Sequence, residues 1–372
     1  MNLKQNGIHD QSFPMLEGFR GLAAILVVYT HYWAFSDHDM QFFRFAHTGV
    51  DLFFVISGFV FGPHLLARKE NWLPFLIRRG FRIYPMFAFS LLIYVLWAWQ
   101  EGKPLRYLWE HLSFSYLQSR EMAFYYNPPY WSLPAEVEFY LIVPILGRIF
   151  NSSLKRFLIC LMIAVGLRAV LGYLADFEAE NRAFILLHHL PGILVEFLLG
   201  SLVWYVCNRH VTHRRSKSLI NRQHLGLFLV ILGILIWSVL ALHFADVGEQ
   251  GIRRSWLNGQ MGAFAALGFS IILLGALLSR PEITLNRPSR LEDLMILAGS
   301  LSYGVYLFHL LALRLAIELA KRMNLDSELS APAIAVIFTL LLAWLAHRLL
   351  EKPLRHFGRQ LAQKLETKGN DQ

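Results

Sequence analysis

Arg20 and His31 stand eleven residues apart in an apolar run that opens Leu16-Glu17-Gly18-Phe19-Arg20-Gly21-Leu22. On one helix that spacing is a rise of about 16 Å, at about 1.5 Å per residue. It would set a guanidinium near one membrane face and an imidazole past the midplane. Guanidinium grips oxyanions, and imidazole takes and returns a proton near neutral pH. A snorkelling arginine and a satisfied interfacial histidine also fit these two residues taken alone.

Four further clusters carry polar groups into apolar surroundings. Gly49-Val50-Asp51-Leu52-Phe53-Phe54-Val55-Ile56-Ser57-Gly58-Phe59 places Asp51 at a depth close to that of His31. An aspartate there could fix the tautomer of the histidine and stabilise its imidazolium, or be an ordinary acid at a helix N-terminus. Arg78-Arg79-Gly80-Phe81-Arg82-Ile83-Tyr84-Pro85 offers three guanidiniums before a span, for phosphates or as basic flanking. Trp131-Ser132-Leu133-Pro134-Ala135-Glu136-Val137-Glu138-Phe139-Tyr140 puts Ser132 and Glu136 on one helix face if Pro134 leaves the helix intact, with Glu138 turned away. Leu301-Ser302-Tyr303-Gly304-Val305-Tyr306-Leu307-Phe308-His309 makes Tyr303, Tyr306 and His309 one stripe. Glu196 is a further intramembrane acid, and charge in a span is costly enough to be a functional candidate by default.

The elements that must position these residues are transmembrane helices. The 372 residues are 55% hydrophobic and only 16% charged, well below the charge of soluble domains. Apolar runs long enough to cross a bilayer lie near 19–36, 49–66, 83–100, 130–150, 157–175, 183–207, 225–245, 257–279, 292–313 and 331–349. The fold class is therefore an all-α polytopic bundle of about ten helices, with a leader over 1–18, a membrane domain over 19–352 and a tail over 353–372. Lys and Arg divide 24 to 9 between the two sides of these spans. The positive-inside rule puts both termini and the basic 208–224 loop in the cytoplasm. The +9 formal charge is then mostly topology, and a soluble nucleic-acid binder is excluded. Leu105 to Leu117 reads as an interfacial helix, and Gly262, Gly268 and Gly275 as helix packing. Cys160 and Cys207 fall within spans, and neither a disulfide framework nor a metal site is legible.

Taken in series, Leu16 to His31, Gly49 to Phe59, Arg78 to Pro85, Trp131 to Tyr140, Ser302 to His309, Glu196 to Gly200 and the Glu351-Lys352-Pro353 ending resemble the acyltransferase 3 family of membrane acyltransferases. The departures are Glu17, where aspartate is usual, and Pro134-Ala135, where a small polar residue and valine are expected. The resemblance implies a ten-helix domain in a bacterial inner membrane. It would move an acyl group, often acetyl, from acetyl-CoA or another acyl-CoA to a hydroxyl of an extracytoplasmic carbohydrate or glycolipid.

On that reading Arg20, Arg78, Arg79 and Arg82 meet the phosphates of the donor. His31 is the general base, Asp51 or Glu136 orients it, and Ser132, Tyr303 or His309 holds the acceptor or the developing oxyanion. No metal takes part, and membrane lipids are the other partner. The competing class is a transporter or flippase for a lipid-linked or acyl metabolite. Internal repeats or coupling-ion sites would mark it, and the sequence has no legible repeat.

Overall fold

Lipid offers no hydrogen-bond partner to a backbone, so long apolar runs become helices that satisfy their own amides. In the computed structural model, residues 14–33, 41–67, 71–175, 177–178, 180–212, 219–252, 259–279 and 289–370 are described. The leader up to residue 13 and the middle of the basic 208–224 loop lie outside them. The described residues are all-α, with no strand. The long helices are α1 (Pro14–Trp33), α2 (Gly49–Leu66), α3 (Trp72–Gln100), α4 (Leu133–Phe150), α5 (Leu154–Ala175), α6 (Leu190–Thr212), α7 (Leu219–Ile252), α8 (Met261–Leu278), α9 (Arg290–Arg322) and α10 (Ser327–Ala346), followed by α11 (Lys352–Asn370).

Among the described residues, eight helices are long and apolar enough to cross a membrane. The two expected spans outside that set are α1 and α4. They hold Glu17, Arg20 and His31 in one case and Glu136, Glu138 and Arg148 in the other. The residues that make them chemically interesting are the ones that lower their hydropathy. Both still pack in the bundle, α1 against α2 and α9, and α4 against α2. The protein is a multi-pass membrane protein.

Burial grades across the bundle. The α2 span is 72% buried, whereas α7 is 17% and α5 22% buried. The α5 and α7 faces show Met162, Ile163, Phe228, Ile231 and Leu242, as lipid-facing helices do. Helix α2 is the hub, touching α1, α4, α6 and α8. Its tightest seam is with α6. A Cβ on Gly58 would lie 1.9 Å from the Phe197 carbonyl oxygen, and one on Gly200 1.9 Å from that of Val55. Without a hydrophobic force between helices in lipid, such close backbone approach supplies much of the association. Ser201 Oγ adds a 2.8 Å hydrogen bond to the Gly58 carbonyl. Gly268 and Gly275 pack against Gly233 and Gly226 of α7 in the same way.

Three boundaries differ from expectation. Helix α3 starts at Trp72 rather than near 83, with Pro85 inside it, so Arg78 to Arg82 belong to the helix. The sixth apolar run breaks at His189 into Glu180–His188 and α6. There Glu138 bonds His189 Nδ1 at 2.6 Å and accepts from the Leu190 amide at 2.8 Å, which caps α6 with a carboxylate. The expected interfacial helix at 105–117 is only Leu108–Leu112. Its C-terminal flank turns inward instead, because Tyr116 and Leu117 are fully buried and the Tyr116 hydroxyl donates to the Tyr130 carbonyl at 2.7 Å.

Candidate active site

A cleft walled by α1, α2, α3, α4 and α9 gathers most of the singled-out residues. Its free space, counted out to its mouth, is about 780 Å³. Arg20, Arg79 and Arg82 line it with Ser57, Ser132, Glu136, Tyr140, Tyr303, Tyr306 and Glu351. Phe53, Phe54, Val60 and Phe61 supply apolar wall. The guanidiniums of Arg79 and Arg82, one helical turn apart, form no ion pair among the described residues, and Arg79 Nε is buried without a hydrogen-bond partner. Arg79 stacks over the Phe61 ring at 4.7 Å. Arg20 is held by Glu17 at 2.5 Å, within the first turns of α1. The set places three guanidiniums beside an apolar wall.

Arg78 lies outside this group. One residue from Arg79 is a turn of about 100° on a helix, which points it away from the cleft. Its Nη1 pairs instead with Glu366 of α11 at 2.6 Å. Glu136 is in the cleft, where it accepts from Ser57 at 3.1 Å and from the Tyr140 hydroxyl. It thus faces the arginines, whereas the expectation was that it, or Asp51, orients His31. Pro134 falls in the first turn of α4, so the helix is intact and Ser132 and Glu136 do share the cleft face. Ser132 Oγ bonds the Tyr306 hydroxyl at 2.7 Å, and the Tyr303 hydroxyl donates to the Ile83 carbonyl at 3.0 Å.

The α9 stripe leads from the cleft to a second centre. Tyr303 and Tyr306 line the cleft, and one turn further His309 packs on His31 with ring centroids 4.9 Å apart. His31 Nδ1 donates to the Val27 carbonyl at 2.8 Å. A carbonyl can only accept, so the bond fixes the tautomer and leaves Nε2 as the basic nitrogen. His309 Nδ1 likewise donates to the Tyr306 carbonyl at 2.9 Å, and its buried Nε2 has no partner. With Nε2 an acceptor, neutral His309 suits a hydroxyl that donates to it better than an oxyanion.

Asp51 is turned from His31. Gly49 packs on Ala23, Leu26 and Val27 of α1, and two residues further along a helix is a rotation of about 200°. Asp51 therefore faces α5, α6 and α8. There it clusters with Glu196 and Arg168, since a Cβ on Gly262 of α8 would lie 2.7 Å from Asp51 Oδ1, 3.2 Å from Glu196 Oε1 and 3.6 Å from Arg168 Nη2. Arg168 Nη1 donates to the Leu187 and Gly192 carbonyls at 3.0 and 2.7 Å, which tie down the broken helix before α6. Gly262 of α8 lies over the trio. His47, exposed, is in electrostatic reach of both Asp51 and His31. Neither Arg168 nor His47 was singled out by the sequence reading. An arginine within an apolar run was the available signal for the first, and the second had none. Among the described residues no group of histidine, cysteine and carboxylate side chains could hold a metal ion.

Residues 14–348 match the sequence model of the acyltransferase domain, and the chain belongs to that family. It is a membrane-embedded acyltransferase. Over 83% of its length it is 24% identical to "Putative acetyltransferase ORF330" of Acidianus two-tailed virus, covering 86% of that protein. It is 24% identical to the O-acetyltransferase OatA of Staphylococcus aureus over 93% of this chain and 57% of the relative. With "Putative peptidoglycan O-acetyltransferase YrhL" of Bacillus subtilis it shares 25% identity, over 94% of this chain and 56% of the relative. The chain thus spans just over half the length of the last two. No solved structure matches it.

Proposed function

We propose that the protein is an O-acyltransferase that moves an acyl group, in the first instance acetyl, from cytosolic acyl-CoA to a hydroxyl of an extracytoplasmic carbohydrate or glycolipid. Its place would be a bacterial inner membrane with both termini cytoplasmic, as the basic excess at the Arg20 end suggests. The observation that carries the reading is the arrangement along α1 and α9. An arginine-lined cleft at one depth is joined by a tyrosine stripe to a histidine with a free basic nitrogen at another.

Phosphates of the donor are negative and the pantetheine arm is long and thin. Arg20, Arg79 and Arg82 would take the phosphates, and the apolar wall by Phe53 and Phe54 would carry the arm and its thioester toward His31. His31 Nε2 takes the proton of the acceptor hydroxyl as its oxygen bonds the thioester carbonyl carbon. The tetrahedral oxyanion collapses, the carbon–sulfur bond breaks, and the imidazolium returns the proton to the thiolate. His309 holds the acceptor through its Nε2, and Ser132 and Tyr303 lie where the thioester passes. Relatives named as O-acetyltransferases, one of them for peptidoglycan, support acetyl as the group and a cell-surface glycan as the acceptor.

The test is label transfer from radiolabelled acetyl-CoA to a panel of free and lipid-linked sugars, by protein purified in lipid nanodiscs. Transfer that survives His31→Ala would refute the base assignment. Absence of binding to any acyl-CoA would refute the donor.

A further inference from the structure

The family match ends at residue 348, yet the helix does not. From Ser330 to Thr367 the chain is one helical rod of 38 residues, or about 57 Å at about 1.5 Å per residue. That is nearly twice the roughly 30 Å of a hydrocarbon core, so its second half, α11, runs on past it. A single π-turn at His347–Glu351 interrupts the rod, and such turns re-aim side chains at functional sites.

The π-turn brings Glu351 into the arginine cleft, where it is 4% exposed. There it bonds His347 Nδ1 at 2.8 Å and Arg355 Nη1 at 3.1 Å. Arg355 in turn stands in the electrostatic field of Arg82 and of Arg20. Beyond it, α11 runs antiparallel along the first turns of α3. Phe357 meets Phe81 edge-on with centroids 5.5 Å apart, and Glu366 pairs with Arg78 at 2.6 Å. The helix is thus fixed at two levels along the stretch of α3 that supplies Arg79 and Arg82. Glu351, itself a lining residue of the cleft, is the only carboxylate that any of the described contacts gives Arg355.

We infer that α11 is a working part of the donor site. Arg355 is a fourth phosphate-binding guanidinium, and Glu351 is the resident carboxylate that positions it and gives way to the phosphates. This rests on the acyl-CoA reading above and adds to it a ligand-binding residue from outside the matched domain. It also assigns Arg78 a positioning role, as the clasp that keeps α11 in place through Glu366.

Direct binding tests this without knowledge of the acceptor. Coenzyme A and pantetheine, which lacks the nucleotide phosphates, would be titrated against full-length protein in nanodiscs. In wild type, coenzyme A binds the tighter. Arg355→Gln weakens coenzyme A about tenfold and leaves pantetheine unchanged, and Arg355→Lys recovers part of the loss. Glu366→Gln, which loosens the clasp but leaves the cleft intact, gives a smaller loss of the same selectivity. Equal weakening of both ligands by Arg355→Gln would mean a structural role only, and no change in either would remove Arg355 from the site; each overturns the inference. A wild-type protein without preference for coenzyme A over pantetheine would instead overturn the donor reading, and this inference with it.

Discussion

The cleft and the trio of Asp51, Arg168 and Glu196 both hold charge inside the bundle, but on opposite plans. The cleft sets three arginines against two carboxylates, leaves Arg79 and Arg82 without ion pairs among the described residues, and opens to a mouth. The trio sets one arginine against two carboxyls, and Arg168 and Glu196 are only 6% and 2% exposed. Its arginine spends two hydrogen bonds on backbone carbonyls of the α6 entry. On the proposed donor reading, the guanidiniums lining the cleft, with no ion pair to Arg79 or Arg82 among the described residues, take an anion from outside. A group whose arginine is buried and bonded to backbone carbonyls of two segments holds helices together, although Arg168 Nε and Glu196 Oε2 have no hydrogen-bond partner. Buried charge in a membrane protein thus divides by its partners, which depth alone does not reveal.

The largest expected effect lies at the end of the cleft path. His31→Ala should lower transfer by about 10²–10⁴-fold, the usual worth of a general base, while coenzyme A binding stays as in wild type. Parallel turnover and titration measurements would show it, and a matching loss of binding would instead make His31 part of the donor grip.

Next comes the trio. Arg168→Met leaves buried carboxyls without their cation and the Leu187 and Gly192 carbonyls without a donor. Loss of one partner in such a cluster costs about 3–5 kcal/mol. Thermal unfolding in detergent should fall markedly, with coenzyme A affinity unchanged in the folded fraction. A variant of normal stability but weak binding would place Arg168 with the cleft and erase the distinction drawn here.

Arg82→Gln should do the converse, weakening coenzyme A about tenfold or more with little change in unfolding temperature. Titration beside a melting curve separates the two.

The smallest effect sharpens the comparison most. Asp51→Asn keeps a hydrogen-bonding side chain beside Glu196, so transfer should stay within about threefold of wild type. Were Asp51 the residue that orients His31, the same change would cost about 10⁴-fold by analogy with catalytic triads. Initial rates decide between them.

Much of this was legible in the residues alone. Run lengths dictated an all-α membrane bundle, because lipid admits no other way for these segments to satisfy their amides. Arg20, His31, Arg79, Arg82, Ser132, Glu136, Tyr303 and His309 stood out because polar groups are expensive in such runs. Depth was also legible, since rise per residue is constant along a helix. What the sequence could not state is azimuth, the direction each side chain takes around its helix relative to the neighbours. Asp51 and His31 share a depth, yet the packing of Gly49 on α1 turns Asp51 to the far side, toward Glu196 and Arg168. Arg78 and Arg79 are adjacent, yet one faces α11 and the other the cleft. Arg355 fell in the expected tail, yet a π-turn one turn earlier sets its partner Glu351 in the cleft. Partners across helices are chosen by close backbone contacts such as Gly58 on α6, and those arise only when the bundle assembles.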